Sequence, residues 1–193
     1  PTNMTYDIYP LMFQAGAKIV DENNKPVFNS PAGVKALEFY AQLMNTYKVS
    51  VPGVLQNGEK EKRANFAAGN VAMMFEGPWG VAIQKNFNPN KDFGIVTLPW
   101  GETNGTVVRG SLLSIPATAA DNKKKLDGAW ALVKFVSGAE GSELWCSRTG
   151  DLPANKTVAE KPFVKDNKYM KVFIEQMALP NAMAIPHLPY QVE

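Results

Sequence analysis

A short apolar run enclosed by glycine and proline constrains this sequence most. Val71–Phe75 are consecutive apolar residues, preceded by Gly69–Asn70 and followed by Gly77–Pro78. Between such breakers the run is too short for a helix, and it is typical of a strand buried on both faces of a sheet. Glycines and prolines elsewhere also fall between periodic segments. The sequence therefore predicts a many-element α/β fold with this strand inside its sheet.

Helix signals are spread along the rest of the chain. Ser30 followed by Pro31 provides an N-cap hydroxyl and a proline at the first helical position, and apolar residues then recur at spacings of three and four over 31–47. Asn23–Asn24 sits between two short β-type segments and predicts a hairpin. Further helices are predicted over 6–15, 59–68, 81–87, 123–137, 140–147 and 166–177, and further strands over 93–98 and 107–115. The charged residues 59–63 are interpreted as a solvated helix face.

The composition excludes several classes of function. The only cysteine is Cys146 and the only histidine is His187, so neither a disulfide framework nor a zinc or histidine metal site is expected. Cys146 is predicted to be a buried small hydrophobe, and His187 a loop residue. The net charge is +2 and no basic block exceeds Lys123–Lys125, which argues against nucleic acid as a partner. We expect no metal and no cofactor.

Catalytic and membrane signatures are also missing from the sequence. It contains no G-x-S-x-G nucleophile motif and no glycine-rich phosphate loop. No apolar run approaches the roughly 20 residues that a membrane span needs. We expect that any targeting signal was removed or lies outside this sequence.

The segment Glu76–Trp79 is the best candidate for binding chemistry. It follows the predicted strand and presents a carboxylate and an indole close together. In α/β sheets, ligands bind beyond the carboxyl ends of strands. An indole offers an apolar platform for a sugar ring, and a carboxylate accepts hydrogen bonds from its hydroxyls. A tryptophan in this context is equally compatible with a place in the core.

The residues around this segment resemble a known family. Phe66–Trp79 is similar to the F-x-x-G-x-x-A-M-x-x-x-G-P-W signature of the extracellular solute-binding proteins of sugar ABC importers, the maltose-binding-protein-like family. Further resemblances follow the family's order: Pro10–Gly16, Arg109–Pro116 with the helix after it, and the Gly150–Ala154 loop. Together these segments cover nearly the whole chain.

The resemblance implies a particular architecture. It implies an α/β, type II periplasmic-binding-protein-like lobe that is incomplete and corresponds to the later half of a bilobal protein. Residues 1–104 and 152–193 would belong to the second lobe, and 105–151 would be a crossover strand and helices of the first. The missing first lobe would be a partner, and 101–106 and 150–153 would be hinges.

The resemblance also implies which residues bind a ligand. Trp79 matches the ligand-stacking tryptophan, Tyr6 and Tyr9 match an aromatic cluster of the cleft, and Tyr190 approximates a later aromatic at its rim. In addition to what the resemblance implies, we expect Glu76, Arg109 and Asp151 to supply hydrogen bonds. Arg109 departs from the family pattern because it occupies a position that is usually glycine; pairing with Glu102 or Asp151 is the alternative role for it.

These implications lead to a binding protein without catalysis. We expect an extracytoplasmic receptor, periplasmic or lipid-anchored, that captures a carbohydrate between two lobes and delivers it to an ABC permease in the membrane. One alternative is a glycoside hydrolase with Glu76 as acid/base and Asp151 as second carboxylate. Another is a structural domain with Trp79 in its core.

Overall fold

The computed structural model describes residues 4–185, with side chains from Tyr6 onward, and is rich in helix. All of the predicted helices are present, although their ends differ by a few residues. The elements, in chain order, are α1 (Met4–Gln14), α2 (Pro31–Asn45), α3 (Glu59–Ala68), α4 (Gly80–Phe87), β1 (Thr106–Val108), a 3₁₀ turn (Ala117–Ala119), α5 (Lys123–Ser137), α6 (Ala139–Thr149), the single-turn helices α7 (Lys156–Ala159) and α8 (Pro162–Lys165), α9 (Lys168–Met177) and β2 (Ala182–Ala184).

The helix ends carry the caps that the sequence predicts. The Ser30 hydroxyl accepts a hydrogen bond from the Gly33 backbone N–H at 3.2 Å, and Pro31 occupies the first turn of α2. Gly69 and Gly150 end α3 and α6 with φ values of 84° and 82°, in the left-handed region that glycine adopts at low cost. Local chemistry alone therefore fixes these helix boundaries.

The strand predictions are largely wrong. The runs 71–75 and 93–98 form no strand, and of 107–115 only the first two residues lie in β1. The Met73 side chain, which the sequence places inside a sheet, is 85% exposed. An apolar run supplies suitable side chains, but a strand also requires a neighbouring backbone at hydrogen-bonding distance.

Within the described residues the sheet consists of β1 and β2, which run parallel. Thr106 pairs with Ala182 and Val108 with Ala184. The predicted hairpin is reduced to a single antiparallel bridge between Val20 and Pro26.

The chain divides into two compact units. The first takes in the described residues up to Glu76, then Ile83–Arg109, then the chain from Glu175 onward; the second consists of Gly77–Ala82 and Gly110–Ile174. The first unit has a core in which α1 packs against α2. Its buried members are Ile8, Met12, Phe13, Ala17, Ile19 and Ala36. The lobe boundaries implied by the resemblance, at 104/105 and 151/152, stay predictions.

The second unit has a smaller interior. Its buried apolar side chains are Cys146 on α6, Val158 on α7, Val164 on α8 and Met170 on α9. Burial raises the pKa of the Cys146 thiol, and the residue is the buried hydrophobe that the sequence predicts. Helix α5 contributes no buried residue to this interior, although it is fifteen residues long.

Candidate functional site

The Gly77–Gly80 turn presents the candidate tryptophan. The Gly80 N–H donates to the Gly77 carbonyl at 2.9 Å, which closes a β-turn with Pro78 at its second position, where the fixed φ of proline is favoured. Helix α4 begins at Gly80, directly after the turn. Trp79 is partly buried and is not among the core residues of the described chain.

The loop that carries Asp151 packs against this turn. A Cβ built on Gly150 would lie 3.0 Å from the Pro78 carbonyl oxygen and 4.0 Å from Trp79 Cα. Two structural features therefore require glycine at position 150: the positive φ and the close approach of two backbones. The structure therefore brings the Trp79 turn and the Asp151 loop together within the second unit.

Helix α9 lies behind both segments. Pro78 and Val81 share a small internal space with Gly150, Met170 and Phe173. The turn and the loop therefore both lie next to side chains of α9.

The Asp151 carboxylate is oriented by its neighbours on α6. Its Oδ2 accepts hydrogen bonds from Trp145 Nε1 at 2.8 Å and from the Thr149 hydroxyl at 2.9 Å. The Oδ1 atom takes part in neither bond. Holding one carboxylate oxygen in this way fixes the direction in which the other oxygen points.

Glu76 lies in the first unit and belongs to a partly buried ion-pair network. Arg63 Nε donates to Glu76 Oε2 at 2.6 Å, and its second nitrogen donates to Oε1 at 3.2 Å, while Arg63 also bridges to Glu59 at 3.0 Å. The side chains of Arg63 and Glu76 are only 16% and 10% exposed. The interpretation of residues 59–63 as a solvated face is therefore wrong for Arg63, whose fork geometry matches a carboxylate.

Asp7 on α1 is a titratable group that sequence reasoning missed. Burial raises its pKa to about 6; the positive charge of Lys62 opposes this shift, and the negative charges of Glu59 and Glu76 add to it. Tyr40 on α2 also has a raised pKa, first through burial and then through the charge of Asp7. Asp7 stands between Tyr6 and Tyr9 in the sequence, but nothing in its spacing signals burial.

The remaining predicted site residues lie in different places. Tyr9 is partly buried and packs against the core, with its ring centroid 6.1 Å from that of Phe13. Tyr6 is partly buried on α1, and Arg109 is exposed just after β1. Tyr190 falls outside the described residues, as does His187.

The partners proposed for Arg109 have other contacts. Glu102 forms an ion pair with Lys35, and Asp151 is bonded as described above. The loop that carries Glu102 is itself held: Gln14 Nε2 donates to the Gly105 carbonyl at 3.1 Å, and Asn181 Nδ2 donates to the Asn104 carbonyl at 2.9 Å. Its role as a hinge remains a prediction.

A comparison with protein families decides where the chain belongs. Residues 2–172 match the family described as bacterial extracellular solute-binding protein. This chain belongs to that family. Its resemblance to the solute-binding proteins is thereby confirmed, and with it an extracytoplasmic setting.

Individual relatives of this solute-binding protein agree. A binding protein of Brucella abortus is 24% identical over 181 residues, which are 94% of this chain and 43% of the relative. The maltose-bound MalE3 protein of T. maritima has a TM-score of 0.80 and 23% identity, over 96% of this chain and 48% of that one. An ABC transporter solute-binding protein of Thermotoga lettingae bound with α-D-tagatose has a TM-score of 0.79 and 27% identity, over 90% and 44%.

These likenesses confirm the predicted fold class, a type II periplasmic-binding-protein lobe. The chain spans about half the length of the relatives that it matches. The small number of strands accords with a lobe that is incomplete.

The hydrolase alternative finds no support in this solute-binding protein. Arg63 donates hydrogen bonds to both oxygens of Glu76, the residue that a hydrolase would need as its proton donor.

Among the described residues there is no group of three or more potential metal ligands of the His, Cys, Asp or Glu type. The same part of the chain contains no helix of the length and apolarity that crossing a bilayer requires.

Proposed function

We propose that this chain contributes the sugar-contacting lobe of the solute-binding component of an ABC importer and has no catalytic activity. One observation carries the proposal: the partly buried Trp79 sits on a turn against which the Asp151 loop packs. An aromatic platform beside an oriented carboxylate suits a molecule with an apolar C–H face and a rim of hydroxyls.

The contacts that we propose differ in kind. The indole of Trp79 stacks on the sugar ring, and Asp151 Oδ1 accepts a hydrogen bond from a hydroxyl, since Oδ2 is held by Trp145 and Thr149. Arg109 donates hydrogen bonds from its guanidinium. Tyr6, Tyr9 and Tyr190 add aromatic surface.

For Glu76 we propose that its ion pair with Arg63 holds the carboxylate in place and that the pair forms hydrogen bonds with the ligand. Its two oxygens accept hydrogen bonds from Arg63, so that the carboxylate faces a fixed direction. A hydroxyl that reaches this pair would accept from Arg63 or donate to Glu76 without either partner having to move.

Carbohydrate is favoured as the ligand class by the neighbours in the structural comparison. Maltose is bound in one of them and α-D-tagatose in another. Each well-packed aromatic contact adds roughly 0.5–1.5 kcal/mol beyond area burial, and micromolar affinity corresponds to about −8 kcal/mol. We propose that a second lobe is needed to reach that sum, that the hinges at 101–106 and 150–153 close the lobes, and that the complex delivers sugar to a membrane permease.

The second unit supplies a reason for requiring that lobe. Helix α5 exposes apolar side chains on opposite sides, among them Trp130 and Phe135, and Leu112 in the preceding segment is 91% exposed. Large exposed apolar patches mark interaction surfaces. We propose that the missing first lobe of the same protein covers this surface.

Calorimetric titration with maltose and with D-tagatose tests the proposal. We expect no or weak binding by the chain alone, and binding of one of these sugars when the complementary lobe is present. Trp79→Ala should then abolish the heat of binding, whereas Trp100→Ala, at a residue that is 53% exposed, should preserve it. Full-strength binding by the chain alone would refute the need for a second lobe.

A separate measurement addresses catalysis. We expect an aryl glycoside to remain intact after prolonged incubation with the protein. Turnover that disappears in Glu76→Gln would replace the receptor with a hydrolase.

A further inference from the structure

Gly77 lies unusually close to the ring of Trp79. A Cβ built on Gly77 would lie 2.5 Å from Cζ2 and 2.6 Å from Cζ3 of the indole, and closer still to Cη2 between them. Near-equal distances to three successive ring atoms place that Cβ above the ring, because a point beyond the ring edge would be much farther from the outer two. One face of the benzo ring therefore occupies the space into which a Cβ on Gly77 would project.

Backbone conformation does not account for the glycine. The glycines with positive φ are Gly16, Gly53, Gly69 and Gly150, and Gly77 is not one of them. A positive φ is therefore not the reason for glycine at position 77, and the atoms nearest to a Cβ there belong to the indole. A Cβ on Gly110, elsewhere in the same unit, would meet nothing within 4 Å.

The turn explains how the ring reaches this position. The hydrogen bond from Gly80 to Gly77 returns the chain on itself, so that the third residue of the turn comes back over the first. Pro78 stiffens the link between them, since its ring fixes φ.

We propose that Gly77 is a positioning residue for Trp79: its bare Cα supports one face of the indole and so sets the orientation of the ring. The proposal rests on the proposed function only in assigning the opposite face to the sugar. In Gly77→Ala the indole has to retreat by roughly 1.2–1.7 Å, because carbon atoms pack at about 3.5–4.0 Å.

The ring orientation is measurable without a ligand. In a variant whose other tryptophans, Trp100, Trp130 and Trp145, are replaced by phenylalanine, the emission comes from Trp79. We expect Gly77→Ala to shift this emission and to add fast depolarisation in time-resolved anisotropy. The matched control, Gly110→Ala, should change neither. An unchanged signal in Gly77→Ala would overturn the proposal.

A double-mutant cycle then tests the cause. Phenylalanine lacks the distal ring atoms that lie over Gly77, so in a Trp79→Phe background Gly77→Ala should shift the urea unfolding midpoint no more than Gly110→Ala does. In the native background the shift should be larger. Equal shifts in both backgrounds would show that the indole is not what position 77 contacts. Because the double variant relieves the clash, it should remain folded even if Gly77→Ala alone is not.

The sugar titration of the two-lobed protein separates this proposal from the proposed function. We expect Gly77→Ala to weaken binding about tenfold, the equivalent of one well-oriented aromatic contact. Normal binding together with an unchanged indole signal would refute the positioning role and leave the sugar site intact. An altered indole signal in a protein that binds no sugar would refute the sugar site and leave the positioning role intact.

Discussion

Helices α2 and α5 have the same length and similar caps but differ in how deeply their residues are buried. Each has fifteen residues and an N-cap side chain, Ser30 or Asn122, that accepts from the backbone three residues on. Helix α2 packs on α1 and buries Gly33 and Ala36. Helix α5 contacts α6, but none of its own residues is buried. The comparison shows that caps and periodicity determine where a helix forms, whereas the extent of the surrounding packing determines what it buries.

The same contrast separates the two units. In the first, the chain supplies both faces of the core, because α1 and α2 are close in sequence. In the second, α5 contacts α6, but α5 and the extended residues before it carry apolar side chains that stay exposed. We therefore expect that replacing a large apolar side chain by alanine lowers the free energy of unfolding much more in the core of the first unit than on α5.

The largest expected effect is on the core of α1. Phe13 is 5% exposed, and Phe13→Ala should lower the free energy of unfolding by about 3–5 kcal/mol through the lost contacts and the cavity left behind. Trp130→Ala on α5 should change it by no more than about 0.5 kcal/mol, as is usual for surface positions. Urea unfolding of this chain measures both.

Adding the complementary lobe sharpens the comparison. If that lobe covers α5, Trp130→Ala should become as costly as Phe13→Ala. A Trp130→Ala variant that is strongly destabilised in the chain alone would contradict the exposed position of α5.

The contrast also shows how much the sequence could predict. Helix positions follow from local signals such as Ser30–Pro31 and Gly69–Asn70, and these predictions are confirmed. The strand at 71–75 could not be settled in this way, because pairing depends on a backbone far away in the sequence. Apolarity alone does not reveal whether that backbone is present.

The candidate site likewise contains features that the sequence predicts and features that it does not. The turn 77–80 and the loop at 150 are local features, and their motifs point to both. Arg63 lies thirteen residues before its partner Glu76, and its spacing to Glu59 looks like that of any surface pair on a helix. The burial of Asp7 follows from the packing of α1 with its neighbours, which no spacing encodes.

A second prediction concerns the carboxyl group of Asp7 in the first unit. The raised pKa of Asp7 means that the folded protein holds this proton more tightly than the unfolded chain does, so its contribution to stability is full below pH 3.8 and is lost as the pH rises through about 6. Asp7→Asn should therefore stabilise the protein at pH 8 by about 2 kcal/mol, somewhat below the full value of this shift.

The pH profile distinguishes this effect from a general one. The gain from Asp7→Asn should shrink steadily as the pH is lowered from 7 to 4 in urea unfolding experiments. Asp127→Asn on α5, where Asp127 pairs with the exposed Lys123, is the control and should give a gain or loss of no more than about 0.5 kcal/mol. A gain that stays constant across the range would show that Asp7 is not the titrating group.

The smallest expected effect compares two glycines with the same backbone conformation. Gly16 in the first unit has φ 81°, and Gly150 in the second has φ 82°. A Cβ on Gly16 would meet nothing within 4 Å, whereas one on Gly150 would lie 3.0 Å from the Pro78 carbonyl oxygen. Alanine in the left-handed region costs roughly 1–2 kcal/mol at either position. The difference between the two variants therefore measures the contact between a Cβ at position 150 and the Pro78 carbonyl oxygen.

We expect Gly150→Ala to exceed Gly16→Ala by about 1 kcal/mol in urea unfolding, at the low end of the cost of overpacking. Hydrogen exchange locates the difference: amides at the Trp79 turn should exchange faster in Gly150→Ala and at the native rate in Gly16→Ala. Equal losses of stability, with unchanged exchange at the turn, would mean that the Asp151 loop does not brace it. The carboxylate and the indole would then be held independently, and a ligand would have to order them itself.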